Sequence, residues 1–319
     1  FANKRKYSLG YITTSRGCPY NCIFCNNNLT GHRVCRYKSV DNVIKELEIL
    51  ICKYEQKDIT FFDDNFLTSP KRTNELCKAI IEKGWQEKCD FMFQSRAKDV
   101  KEDIIAELSK AGFKTVFLGI ESVSTNLLSI IGKKERIVDI ENAIKIAKSA
   151  KFKVIANFLF CLPEETAFER AECVSFAIKN NIDVVKFNNI VPYPGTELYN
   201  QNYQSKINFN YPDYGNFNSQ IAIIHPFYKK IPFPLIPNNS IDKQIESEII
   251  ISYLKFYFRF SVIKKIITHK KWGGLIFQFG NRNRDVIRHI PHIFVLLANL
   301  SIKVLNALIF NLFHKKKLK

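Results

Sequence analysis

Several things are missing from this sequence, and each narrows its meaning. The opening residues FANKRKYSLG hold no apolar h-region, so no secretory signal peptide is expected there. The chain starts at Phe1 instead of Met, and the expectation is a fragment whose upstream part is missing. Its nine cysteines (18, 22, 25, 35, 52, 77, 89, 161 and 173) are odd in number. An odd count in a chain of 319 residues speaks against a secreted disulfide framework and for reduced thiols in the cytoplasm. Acidic residues nearly vanish after 248. Residues 249–319 hold 14 Lys and Arg against Asp285 alone, a net of +13, while residues 1–248 hold 34 against 29, a net of +5. Most of the overall +18 is therefore a property of the tail. Such a tail points to a membrane surface or a nucleic acid. No recognisable RNA-binding domain and no second three-cysteine group is present, which makes nucleic acid the weaker partner. No repeat longer than a β-α unit is visible.

What is present is an ordinary globular composition, 46% hydrophobic and 24% charged, enough for a sizeable core. Six apolar runs read as strands: 9–15, 58–64, 90–96, 115–121, 153–160 and 183–191. Amphipathic, helix-length runs separate them at 39–56, 69–84, 101–112, 136–150 and 166–181. Nearly continuous apolar strands belong to parallel sheets covered on both faces, and their alternation with helices predicts an α/β fold. The pattern does not separate a doubly wound sheet from a closed or partial barrel. It predicts a core over residues 1–200, an irregular connection over 201–240 and a basic helical C-terminal extension over 241–319. Ligands in parallel α/β folds sit at the C-terminal strand ends. Those ends read Arg16-Gly17-Cys18, Asp63-Asp64, Arg96, Glu121-Ser122, Cys161-Leu162-Pro163 and Pro192-Tyr193-Pro194. They look like one shared site.

The first of these ends, TSRGCPYNCIFCNNN, carries Cys18, Cys22 and Cys25 in a C-x3-C-x2-C spacing. A structural zinc site wants four ligands, usually as two separated pairs, and a lone C-x2-C suits zinc or a redox dithiol. Here three thiols crowd one loop, with Cys35 the only nearby candidate for a fourth. Three thiolates suit three corners of a cubane iron–sulfur cluster and leave one iron open. Gly17 allows a tight turn after the strand, and Pro19 stiffens it. Three structural thiols that are neighbours by chance remain the plain alternative. Cys52, Cys77 and Cys173 lie in helical stretches and read as small core residues.

With Phe24 just before the last cysteine, this loop resembles that of the radical S-adenosylmethionine (SAM) enzymes. The resemblance covers roughly residues 8–200. FFDDNF (61–66), QSRA (94–97), LGIES (118–122) and PYPGT (192–196) are similar to strand-end motifs of the branch that usually carries an upstream cobalamin-binding domain. The resemblance implies a partial (β/α)6 barrel. It implies a 4Fe-4S cluster on Cys18, Cys22 and Cys25, with SAM chelated at the open iron and cleaved to a 5′-deoxyadenosyl radical that abstracts a hydrogen from substrate. Cobalamin would be held by the missing upstream domain, and electrons would come from a donor such as flavodoxin or ferredoxin. Phe24 would lie at the cofactor, Asp63 and Asp64 would face the SAM amino group, Arg96 its carboxylate, and Glu121 and Ser122 its ribose. The family commonly has Gly-Leu-Pro where this chain has Cys161-Leu162-Pro163, which puts a side chain where adenine usually approaches backbone. A substrate-side thiol is the other reading of Cys161. The expected reaction is methyl transfer or cyclisation on a small-molecule or lipid substrate, with no catalytic residue assigned. The alternatives are a tRNA-modifying methylthiotransferase and a non-enzymatic zinc-binding module.

From Ile290 to Phe313 the only charge is Lys303, and the sequence then reads HKKKLK. Ile290, Ile293, Leu297, Leu300, Val304, Leu308 and Leu312 recur at helical spacing, with His292, Asn299, Lys303 and Asn306 on another face. Two readings stay open: a helix packed on the core with a solvated lysine end, or an interfacial helix at the inner face of the membrane, anchored over 290–319.

Overall fold

A computed structural model describes residues 10–27, 33–201, 242–262 and 301–312. Among the described residues, eight strands form two sheets. The larger holds β1 (Tyr11–Ile12), β4 (Asp58–Phe61), β5 (Asp90–Arg96), β6 (Phe113–Glu121), β7 (Lys153–Phe160) and β8 (Val184–Asn189) in that spatial order. The pairs β1–β4, β4–β5 and β5–β6 run parallel, with Asp58 opposite Asp90 and Arg96 opposite Gly119. The smaller is an antiparallel ribbon of β2 (Ser15–Arg16) and β3 (Arg36–Tyr37). The helices are α1 (Val40–Glu48), α2 (Pro70–Glu82), α3 (Glu102–Lys110), α4 (Thr125–Ile130), α5 (Ile137–Ser149), α6 (Ala167–Lys179), α7 (Glu197–Asn200), α8 (Asp242–Tyr257) and α9 (301–312).

The chain divides into two compact units. The first lies within Phe1–Asn21, Asn26–Ile120 and Glu135–Ala156. Its core is aromatic: alternate residues Phe91 and Phe93 of β5 are buried against Phe61, Phe66 and Phe113, with ring centres 5.1–5.8 Å apart. Their neighbours Met92 and Gln94 point to the other face and are half-buried. The helices start where the sequence places caps. The Ser39 hydroxyl accepts from the Asn42 N–H at 3.3 Å, and Pro70 opens α2. A single π turn over Ile49–Lys53 continues α1.

The second unit lies within Cys22–Cys25, Glu121–Lys134 and Asn157–Lys319. Here α6 begins with a Thr166/Glu169 capping box. Helix α8 lies against α6 and β8, and β8 is an edge strand of the large sheet. Two tyrosines one turn apart on α8 satisfy its backbone. The Tyr253 hydroxyl accepts from Phe187 N at 2.9 Å and donates to its carbonyl at 3.3 Å. Tyr257 does the same for Val185, at 3.1 and 2.8 Å. The edge is closed without another strand. Helix α9 joins α8 through the Ser247 hydroxyl, which donates to the Ala307 carbonyl at 2.9 Å.

All six strands and all five helices of the expected core are present. The expected irregular stretch 201–240 and the proximal half of the expected tail helix lie almost entirely outside the described residues. Lys303, expected on another face of that helix than its apolar residues, is buried, at 6% exposure.

Candidate functional site

In the first unit the cysteine loop has a fixed footing. Gly17 takes φ +92°, and a Cβ there would meet the Val34 carbonyl at 2.2 Å, so no other residue fits between the strands of the ribbon. Its N–H donates to Asp64 Oδ2 at 2.8 Å, and the Cys35 thiol donates to its carbonyl at 3.4 Å. Asp63 is fully buried. Its Oδ1 accepts from the backbone N–H and hydroxyl of Thr14, both at 3.0 Å, and from the backbone N–H and hydroxyl of Ser15. Its Oδ2 is buried with no hydrogen-bond partner among the described residues. Burial pushes the Asp63 carboxyl up, against the hydrogen bonds from Ser15 and Thr14. Of the two carboxylates expected at SAM, then, Asp63 ties the first strand to the second, while exposed Asp64 holds the loop by Gly17.

Tyr20, inside the cysteine loop, was not singled out by the sequence. Its hydroxyl donates to Asp99 Oδ1 at 2.6 Å, and the Arg96 guanidinium carbon lies 4.0 Å from its ring centre, with Lys98 Nζ at 4.1 Å. Burial first, and Asp99 second, raise its pKa. Asp99 also accepts from Asn65 Nδ2 at 2.6 Å, and the Ser95 hydroxyl donates to Asn65 Oδ1 at 3.0 Å. Arg96, last in β5, is buried and pairs through Nε with Glu135 Oε1 at 3.4 Å.

In the second unit, Cys22 and Cys25 form a turn in which Cys25 N–H donates to the Cys22 carbonyl at 3.1 Å. Buried Ile23 anchors it: its N–H donates to the Ile131 carbonyl at 3.1 Å, and its carbonyl accepts from Leu198 N–H at 2.9 Å. Phe24 beside it is half-buried. Glu121 ends β6 in a left-handed conformation, φ +68°, and is buried. Its Oε1 meets Lys133 Nζ at 3.5 Å, and its Oε2 accepts from Asn157 Nδ2 at 2.8 Å. Asn157 Oδ1 in turn accepts from Asn188 Nδ2 at 2.6 Å. A polar row thus crosses β6, β7 and β8. Ser122 is fully buried, and its hydroxyl accepts from Ser124 N–H at 3.2 Å, shaping the entry to α4.

At the end of β7, Cys161 is fully buried and also left-handed, φ +65°. Its N–H donates to Glu165 Oε2 at 2.7 Å. Arg170, 1% exposed, holds Glu165 through Nη1 at 3.2 Å and Glu248 of α8 through Nε at 2.6 Å. Burial pushes the Glu165 carboxyl up to about 8, against the attraction of Arg170. Burial alone would lower Arg170, but Glu165 and Glu248 outweigh it and keep the guanidinium charged.

The sulfur chemistry of the loop fits a cluster. Cys18, Cys22 and Cys25 are all part-exposed and none is in a disulfide. Among the described residues no three His, Cys, Asp or Glu side chains are drawn together as a ligand group, so the fit lies in the donor set and its accessibility. Expected site residues sit at C-terminal strand ends: Asp63 and Asp64 just past β4, Arg96 closing β5, Glu121 closing β6. Tyr20 and Glu135 stand with Arg96 in the first unit, and Lys133, Asn157 and Asn188 with Glu121 in the second. Of these, only the Lys and Glu of GKKE left a sequence signal, two charges of opposite sign beside apolar helices.

The chain is 31% identical over 263 residues to an uncharacterized methyltransferase of Pyrococcus horikoshii, covering 82% of this chain and 54% of that protein. It is 25% identical over 266 residues to the anaerobic magnesium-protoporphyrin IX monomethyl ester cyclase of Cereibacter sphaeroides, covering 83% and 40%. It spans about half the length, or less, of these curated relatives. The fold is similar to that of the radical SAM methyltransferase TsrM from Kitasatospora setae, solved with cobalamin and a 4Fe-4S cluster, with a TM-score of 0.57 at 20% identity over 62% of this chain and 39% of that one. The family model of the radical SAM superfamily matches residues 12–177, just over half the chain, and the protein belongs to that superfamily.

Proposed function

We propose that this chain is the radical-generating core of a cobalamin-linked methyltransferase or cyclase acting on a large, mainly apolar substrate. The C-x3-C-x2-C loop carries the reading: three accessible thiols on a backbone pinned at Gly17 and Ile23. The names of the relatives, a methyltransferase and a porphyrin cyclase, support the reaction class, and the cyclase's name alone supports the size of the substrate. With cluster and SAM bound, the chemistry supplied is reductive cleavage of SAM to methionine and a 5′-deoxyadenosyl radical, which takes a hydrogen from substrate.

The chain's own residues then have three tasks. Cys18, Cys22 and Cys25 would hold the cluster through their thiolates, three ligands for four irons. Asp64, through Gly17, and the Arg96–Tyr20–Asp99 set keep the first part of the loop in place, and Ile23 keeps the second. Glu121 offers a fixed carboxylate at the end of β6, its orientation set by Lys133 and Asn157, suited to ribose hydroxyls. A flavodoxin or ferredoxin is the proposed electron donor, because the reduction requires a single-electron carrier.

Anaerobic reconstitution tests the reading. The wild-type protein should take up iron and sulfide, turn brown with broad absorbance near roughly 400 nm, and release methionine from SAM when reduced. Zinc would leave it colourless. Full iron and sulfide in the Cys18→Ala/Cys22→Ala/Cys25→Ala variant would overturn the assignment.

A further inference from the structure

Helix α9 is amphipathic in an inverted sense. Its inward side carries Lys303, 6% exposed, and Ala307, 4% exposed, and Ala307 is the residue bonded to Ser247 of α8. Burial lowers the Lys303 pKa, against the attraction of Glu246. Its outward side carries Ile302, Leu305, Leu308, Ile309 and Leu312, exposed by 60, 58, 45, 42 and 71%. Residues 302, 305, 309 and 312 fall within one stripe at helical spacing. The helix has turned its cation to the protein and its aliphatic side chains outward. Exposed apolar residues scattered singly need no explanation, but five on the exposed side of one helix, four of them in one stripe, do.

We propose that this outward face is a docking surface for an anionic lipid membrane, with α9 lying in the plane of the interface. Charge selects this occupant. The stretch from 249 to 319 holds 14 Lys and Arg against Asp285, and four lysines fall at 315, 316, 317 and 319, immediately beyond the helix. An aliphatic face beside clustered cations is the combination that binds acidic headgroups and inserts shallowly between acyl chains. The twelve described residues of α9 reach about 18 Å, against a hydrocarbon core of about 30 Å. Among the described residues no helix is long and apolar enough to cross a membrane. The proposal asks nothing of the cysteine loop and stands whatever the reaction is. It gives an apolar substrate a reason to be found at this protein: enzyme and substrate would share the bilayer surface.

The test is co-sedimentation of the full chain with vesicles of phosphatidylcholine alone and with about a third phosphatidylglycerol. The wild type should sediment mainly with the anionic vesicles, and less so as salt is raised. Leu305→Glu/Ile309→Glu should lower the bound fraction about ten-fold, because two carboxylates would have to enter the apolar layer. Its thermal unfolding should match the wild type, since both side chains are exposed. Equal binding to the two vesicle types, or equal binding of the two proteins, would overturn the proposal. So would a concentration-dependent dimer of the wild type that the same substitutions dissolve, since the face would then belong to a second copy of the chain.

Discussion

The Arg96 guanidinium stacks on the ring of Tyr20, with its central carbon 4.0 Å from the ring centre. Seventy-six residues separate the two. The contact fastens the cysteine loop to the C-terminal end of β5. It also gives Arg96 two partners, since Nε faces Glu135 at 3.4 Å. A cation held between a π face and a carboxylate is fixed in orientation before any ligand arrives.

Tyr20 should therefore matter to the loop in two separable ways. Tyr20→Phe keeps the ring under Arg96 and loses the bond to Asp99, at a cost of about 1 kcal/mol. Tyr20→Ala also loses the cation–π contact and the ring's packing, and should cost at least about 1 kcal/mol more. Denaturant midpoints measure both. Iron retained per chain after reconstitution should fall in the same order. If Tyr20→Ala held iron as well as the wild type, the clamp would have no bearing on the cluster loop.

Glu121 and Lys133 are 10% and 4% exposed in their side chains, so neither can be solvated alone. Lys133→Met strands a buried carboxylate and should cost about 3 kcal/mol. Adding Glu121→Gln should recover part of that loss, because the remaining amide can keep its bond from Asn157 in flipped form and carries no charge. Glu121→Gln alone should weaken SAM binding several-fold in equilibrium titrations while iron content stays unchanged. A double variant whose loss equals the sum of the two single losses would show that the pair is not coupled.

The strands were legible because burial on both faces writes long apolar runs. Residues 90–96 and 153–160 were bounded to the residue. The first strand was drawn too long, 9–15 against Tyr11–Ile12, because Ser15 and Arg16 leave the sheet to pair with Arg36 and Tyr37. No local pattern announces a ribbon closed over twenty residues. The strand-end residues were legible from topology alone: parallel strands place their last residues on one edge. What each does there was not. Asp63 reads like a ligand, and the sequence does not show that Thr14 and Ser15 occupy one of its oxygens. Asn157 and Asn188 look like minor polar interruptions of strands until the sheet aligns them with Glu121. Lys303 was placed on another face than the apolar residues because helical spacing shows which residues share a side, but not which side meets the protein.

The Glu165 carboxyl, raised from an ordinary value of 4.5 to about 8 chiefly by burial, makes stability depend on pH with a definite sign. The unfolded chain releases this proton near 4.5, whereas the folded chain keeps it to about 8. The contribution is fully present below the lower value and drains away as pH rises through the upper one. Thermal unfolding followed from about pH 5 to pH 9 should show the wild type losing stability faster than Glu165→Gln, whose side chain cannot ionise. Parallel profiles would place the proton elsewhere.

Cys161 gives the sharpest test of the backbone. Its φ of +65° lies in the left-handed region, which costs a residue with a Cβ about 1–2 kcal/mol and costs glycine almost nothing. Glycine would take this conformation without the strain that a Cβ brings. Cys161→Ala removes the sulfur from a fully buried place and keeps the strain. Cys161→Gly removes one carbon more but relaxes the backbone, which roughly offsets the greater freedom of glycine in the unfolded chain. The usual order should therefore invert, with glycine at least as stable as alanine and Cys161→Val far worse, since a β-branched side chain is least tolerated at positive φ. The N–H at 161 still reaches Glu165 in the glycine variant, so that bond is kept. Denaturant midpoints for the three variants decide the matter, and an alanine variant clearly more stable than glycine would mean that the β7 end does not impose the left-handed turn.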